Sequence, residues 1–133
     1  MSGKTLLVVD DEAIVLSVSK RILESAGYRV LCAADGAQAL EACRDKGNLI
    51  DAVLTDINMP RVNGPALVQC LAQSHPGMPV MFMTGYKQDS PIMQEFLREP
   101  HLDGHKVIQK PFTPKELVAA ISKLIAEAPG GAH

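Results

Sequence analysis

Cysteine is scarce in this chain and poorly placed for chemistry. Cys32, Cys43 and Cys70 are odd in number, widely spaced and form no Cys-x-x-Cys pair. That argues against a zinc or redox centre, and the thiols read as reduced, mostly core-filling side chains. Histidine offers no ligand pattern either. His75, His101, His105 and His133 fall in loop-like sequence without helical ligand spacing and read as solvated surface. Long apolar runs are absent. The first apolar stretch, Thr5 to Val9, is far too short to span a membrane or serve as a signal peptide, and Asp10-Asp11-Glu12 follows it at once. A charge excess is absent too: the formal net charge of −2 gives no electrostatic footprint for nucleic acid. The chain shows no internal repeat, charge block or second domain, and its 133 residues suffice for one domain with a sizeable core. The expected setting is cytoplasmic, with no membrane insertion and no direct nucleic-acid partner.

What is present is an alternation of short apolar runs with amphipathic ones. Strands are expected at Thr5 to Val9, Arg29 to Ala33, Ala52 to Thr55, Val80 to Met83 and Val107 to Gln109. A helix is expected from about Glu12 to Ala26, with Ile14, Val15, Val18 and Ile22 at helical spacing and Gly27 as its stop. Ala37, Leu40 and Cys43 mark a second helix ending near Gly47. Pro65 suits the first turn of a third, running to about Gln73 after the turn-forming loop Asn58 to Gly64. Ser90 to Leu97 reads as a short helix and 98–104 as loop. The last helix is the best specified: Thr113 as N-cap, Pro114 as first residue and Glu116 as the return arm of a capping box. Leu117, Ile121, Leu124 and Ile125 form its buried stripe. Phe82 and Phe112 read as core. Five strands alternating with five helices predict a doubly wound α/β sheet, since parallel strands need helical crossovers.

Such sheets bind ligands outside the carboxyl ends of their strands, where the strand order switches direction. Asp10, Asp11, Asp56, Thr84 and Lys110 all fall at expected carboxyl ends, from strands one, three, four and five. A carboxylate at the end of a buried strand is costly unless something neutralises or uses it. Two or three carboxylates with a backbone carbonyl suit Mg2+, a hard cation that keeps several waters. Asp56 can act as ligand and nucleophile, Lys110 as a cation for phosphoryl oxygens and Thr84 as a hydroxyl donor. The plainer readings are an N-cap role for Asp10 and Asp11, a backbone-bonded loop Asp at position 56, and solvated charge at Lys110.

Four motifs, Val8-Val9-Asp10-Asp11-Glu12, Leu54-Thr55-Asp56-Ile57-Asn58-Met59-Pro60, Met83-Thr84-Gly85-Tyr86 and Lys110-Pro111-Phe112, resemble the receiver domain of two-component response regulators. The resemblance covers residues 4–127, leaving 128–133 as a flexible tail or linker stub. It implies a (βα)5 flavodoxin-like three-layer sandwich with a five-stranded parallel sheet of order 2-1-3-4-5. It implies phosphorylation of Asp56, with Mg2+ (or Mn2+) held by Asp11, Asp56 and the backbone carbonyl of Asn58, and by Asp10 through water. Thr84 and Lys110 would contact the phosphoryl group, and the Lys110-Pro111 bond would be cis. The phosphodonor would be a sensor histidine kinase or a histidine phosphotransfer protein. The domain would catalyse its own phosphorylation and hydrolysis and signal to a downstream protein or attached output domain through changed surface contacts.

The chain departs from the family at one switch position. Three residues before Lys110, where the family has Tyr, Phe or His, stands Val107. Tyr86, two residues after Thr84, is the alternative gate. Thr84-Gly85-Tyr86 together with a non-aromatic fifth strand resembles receivers attached to hybrid sensor kinases. Competing functions are a degenerate receiver acting as a binding module, which intact acids and lysine oppose, and a Mg2+-dependent phosphate-ester hydrolase. A dehalogenase-type enzyme of that kind wants Asp-x-Asp where this chain has Asp10-Asp11-Glu12.

Overall fold

The computed structural model describes residues 3–46, 49–57, 67, 77–85, 90–91, 93–94, 98 and 106–127. Five strands, β1 (Thr5–Val9), β2 (Arg29–Ala33), β3 (Ala52–Asp56), β4 (Val80–Thr84) and β5 (Lys106–Gln109), form one sheet. Its order is β2-β1-β3-β4-β5, and every pairing is parallel. Helices α1 (Ala13–Ser25), α2 (Gly36–Lys46) and α3 (Pro114–Glu127) flank it. The doubly wound sheet is the one the alternating pattern predicts, and its strand order is the one the resemblance implies.

The strands are near-continuous apolar runs because both sheet faces are covered. Successive side chains point to opposite faces, so each strand feeds two cores. Leu7, Val9, Val53 and Phe82 pack with Ala39 and Cys43 of α2, and with Leu67 and Met93. Leu6, Val8, Leu54, Met81 and Met83 pack with Leu23 of α1 and with Leu117, Ile121 and Leu124 of α3. Leu67 and Met93 are helical and fully buried, as the expected third and fourth helices require. Pro91 and Gln94 are helical too, and the Gln94 N–H donates to the Ser90 carbonyl at 3.0 Å. Most of the remainder of those two helices lies outside the described residues. So do Cys70, the four histidines, the loop from Asn58 to Gly64, most of 98–104 and the tail.

Local signals place the helix ends. Gly27 has φ 99° and stops α1, a conformation that only glycine adopts without strain. The N–H of Thr113 donates to Glu116 Oε1 at 2.9 Å, and the N–H of Glu116 to Thr113 Oγ1 at 3.1 Å, closing the capping box before α3.

Two expectations need correction. The buried face of α1 carries Ser19 and Leu23 with Val15, Leu16, Ile22 and Ala26 partly buried, whereas Ile14 and Val18 are 77% and 49% exposed. Two overlapping apolar sets exist at helical spacing, and packing against α3 and β2 selects one of them. Cys32 is exposed, although Cys43 is buried. Cys32 shares a sheet face with the buried Val30, but it sits on the edge strand β2, at the margin of the sheet.

Candidate functional site

The chain runs from β1 outward to β2 and then returns to the other side of β1 for β3, so the strand order reverses between β1 and β3. The carboxyl end of β3 is Asp56 itself. Val9 pairs with Thr55, which brings Asp10 level with Asp56. On the next strand, Asp56 pairs with Met83, and Thr84 pairs with Gln109 of β5. The N–H of Lys110 donates to the Thr84 carbonyl at 2.7 Å and extends that ladder by one residue. The Lys110-Pro111 peptide bond that follows is cis.

These registers bring together side chains that lie up to a hundred residues apart. Asp10, Asp11 and Asp56 each place one carboxylate oxygen within 4.8 Å of the others. Asp10 is wholly buried, Asp56 partly buried and Asp11 exposed. Lys110 Nζ donates to Asp10 Oδ2 at 2.7 Å and lies 3.6 Å from Asp56 Oδ1 and 3.8 Å from Glu12 Oε1. Asp10 Oδ1 accepts the N–H of Glu12 at 2.9 Å, so both oxygens of this buried acid are engaged. Thr84 is buried at the same sheet edge.

Three carboxylates thus lie within 4 Å of one ammonium, with Asp11 beside two of them, and burial together with these charges shapes the titration. Burial pushes the Asp56 carboxyl up to about 6 from its ordinary 3.8. Lys110 and the Ile57 N–H oppose that shift, and Asp10 and Asp11 reinforce it. Burial pulls the Lys110 ammonium down. The hydrogen bond to Asp10 and the charges of Asp56, Asp10 and Glu12 outweigh that, and leave it above its ordinary value. A pocket of converging oxygens with unbalanced negative charge has the donor set of a hard divalent cation.

Residues 6–122 match the sequence pattern of the response regulator receiver domain. The chain belongs to this family. The receiver is 35% identical over 127 residues to the sensor kinase CckA of Brucella abortus (strain 2308), covering 94% of this chain and 13% of that protein. It is 35% identical over 122 residues to the transcriptional regulatory protein CpxR of Escherichia coli (strain K12), covering 90% of this chain and 48% of that one. It therefore spans about half or less of the length of these curated relatives. Among solved structures it is similar to the chemotaxis protein CheY4 of Vibrio cholerae, with a TM-score of 0.79 at 27% identity, covering 91% and 98% of the two chains. The receiver is thus a two-component signalling domain with an acidic Asp10, Asp11 and Asp56 pocket. Among the described residues, no helix is long and apolar enough to cross a membrane.

Asn58 and Tyr86 lie outside the described residues. Val107, on β5, pairs with Phe82 and packs against the core that contains Leu7 and Val53, so no aromatic stands at the fifth-strand switch position. Sequence reasoning missed Glu12, which joins the acids around Lys110. The available signal was a glutamate at the head of a helix, a position where shorter polar side chains are favoured.

Proposed function

We propose that this receiver accepts a phosphoryl group on Asp56, with Mg2+, from a phosphohistidine on a sensor histidine kinase or a histidine phosphotransfer protein. The observation that carries the proposal is the convergence of Asp56, Asp10 and Asp11 at one sheet edge with Lys110 among them. Asp10, Asp11 and Asp56 would hold the cation, with the backbone carbonyl of Asn58, and Mn2+ can replace Mg2+. A bound divalent cation supplies positive charge that offsets repulsion between an incoming phosphoryl group and the acids.

The chain's own residues do the rest. An Asp56 carboxylate oxygen forms the new bond to phosphorus as the donor's phosphorus–nitrogen bond breaks and the electron pair leaves on the imidazole. Asp56 must be ionised to attack, and Lys110 favours that form. Lys110 then contacts a phosphoryl oxygen, and the Thr84 hydroxyl a second. Hydrolysis of the acyl phosphate returns the domain to its starting state. The output is a changed surface read by a downstream protein or an attached domain. With Val107 in place of an aromatic, the internal lever passes through Thr84 and Tyr86. The similarity to a sensor kinase supports a receiver attached to a hybrid kinase. The intact acids and lysine argue against a degenerate binding module.

Phosphoramidate or acetyl phosphate with Mg2+ is expected to add one phosphoryl group, seen by intact-mass measurement. Asp56→Asn abolishes the addition and a chelator suppresses it. Unchanged labelling of the Asn variant would refute the assignment, and turnover of an external phosphate ester would favour a hydrolase.

A further inference from the structure

Among the described residues, Glu12 is the one acid around Lys110 that lies outside the three-carboxylate cluster. It occupies the N-cap position of α1 with an extended backbone, φ −95° and ψ 114°, yet its side chain makes no capping bond. That position usually holds Ser, Thr, Asp or Asn, whose oxygens satisfy free helix N–H groups. The main chain of Glu12 is nevertheless fixed on both sides. Its N–H is bound by Asp10 Oδ1 at 2.9 Å, and its carbonyl accepts the Leu16 N–H at 3.2 Å. The carboxylate is turned to Lys110 instead, 3.8 Å from Nζ. Its side chain is 66% exposed against 18% for Lys110, so it covers the ammonium from the solvent side while Asp10 and Asp56 hold it from within.

We propose that Glu12 is a positioning residue that tethers the Lys110 ammonium at the pocket mouth and slows its transfer to an arriving phosphoryl group. This rests on Asp56 being the phosphoacceptor. During phosphorylation Lys110 must exchange carboxylate partners for phosphoryl oxygens. Glu12 competes for the same ammonium, and its charge repels an anionic donor as it enters. The pair is solvent-facing, so its effect is modest, about threefold in rate, and it weakens as salt screens it.

The test uses the full chain with two single variants, Glu12→Gln and Glu24→Gln. Glu24 is an exposed acid near the far end of α1 and serves as the net-charge control. The first readout needs no phosphodonor: the nitrogen-15 signal and hydrogen-exchange rate of the Lys110 ammonium by NMR. The second is the rate of labelling by phosphoramidate with Mg2+ at low and high salt. Glu12→Gln is expected to shift the Lys110 signal, speed its exchange and raise the labelling rate about threefold at low salt, with the gain shrinking at high salt. Glu24→Gln does none of these. An unmoved Lys110 signal in Glu12→Gln, or a rate change no larger than that of Glu24→Gln, overturns the proposal. Absence of labelling in the parent chain overturns the phosphoacceptor reading, and the ammonium signal then still decides whether Glu12 holds Lys110.

Discussion

Asp56→Asn is expected to stabilise the metal-free chain at pH 7 and above, by about 1–3 kcal/mol, since one pKa unit corresponds to ~1.4 kcal/mol. The reason is the raised carboxyl pKa, about 6 in the fold against an ordinary 3.8. A raised value means that the folded state holds the proton more tightly than the unfolded chain does. Above about pH 6, Asp56 is ionised in both states, and the folded state carries the full cost of a partly buried anion among other anions. As pH falls from about 6 towards 3.8, the folded-state carboxyl takes up its proton first and the cost disappears. The neutral Asn variant never carries it. Thermal unfolding in chelator should therefore show the variant ahead by roughly 3–10 °C at neutral pH. The two proteins converge near pH 4, and added Mg2+ narrows the gap at pH 7. A pH-independent difference, or a variant less stable than its parent at pH 7, would contradict this electrostatic account.

Lys110→Met is expected to act in the opposite direction through the same pocket. Asp10 is wholly buried, and among the described residues its cationic partner is Lys110, at 2.7 Å. Removing one member of a buried pair leaves the other charge uncompensated, which costs about 3–5 kcal/mol in fully enclosed sites. Here Lys110 is partly exposed, and Asp10 keeps the Glu12 N–H, so about 2–4 kcal/mol is expected. The loss should appear as a lower urea midpoint at pH 7 in chelator. Mg2+ should recover much of it, because a cation that binds only the folded chain stabilises that chain by mass action. A loss that Mg2+ does not recover would indicate that Lys110 serves packing and not charge balance. Full stability without metal would mean that Asp10 does not depend on it.

The opposite signs of these two substitutions follow from geometry that was only half legible in the sequence. The strands were readable because runs such as Leu6 to Val9 and Ala52 to Thr55 are apolar without interruption, as a sheet covered on both faces demands. The last helix was readable because Thr113, Pro114 and Glu116 form its start within four residues. The acids and the lysine were readable as strand-end residues. Their pairing was not. Lys110 and Asp10 are a hundred residues apart, and no local pattern specifies that this buried acid spends one oxygen on the lysine and the other on the Glu12 N–H. The orientation of α1 was also out of reach. Ile14 and Val18 share a helical stripe as convincing as that of Val15, Ile22 and Ala26. Contact with α3 and β2 decides between the two, and it exists only in the folded chain. Cys32 was misjudged although the expected strand order already put β2 at the edge, because how far a helix covers that edge is settled only by tertiary packing.

If Asp56 is the phosphoacceptor, it carries an acyl phosphate, and the chemical identity and position of the label decide the matter. The full chain is treated with phosphoramidate and Mg2+, and one portion is then exposed to hydroxylamine, which cleaves acyl phosphates and spares phosphate esters of Ser and Thr. The remainder is digested and mapped by mass spectrometry. A single hydroxylamine-labile phosphoryl group is expected, on the peptide that contains Asp56. A hydroxylamine-resistant label on Thr55 or Thr84, or no label at all with Mg2+ present, would contradict it.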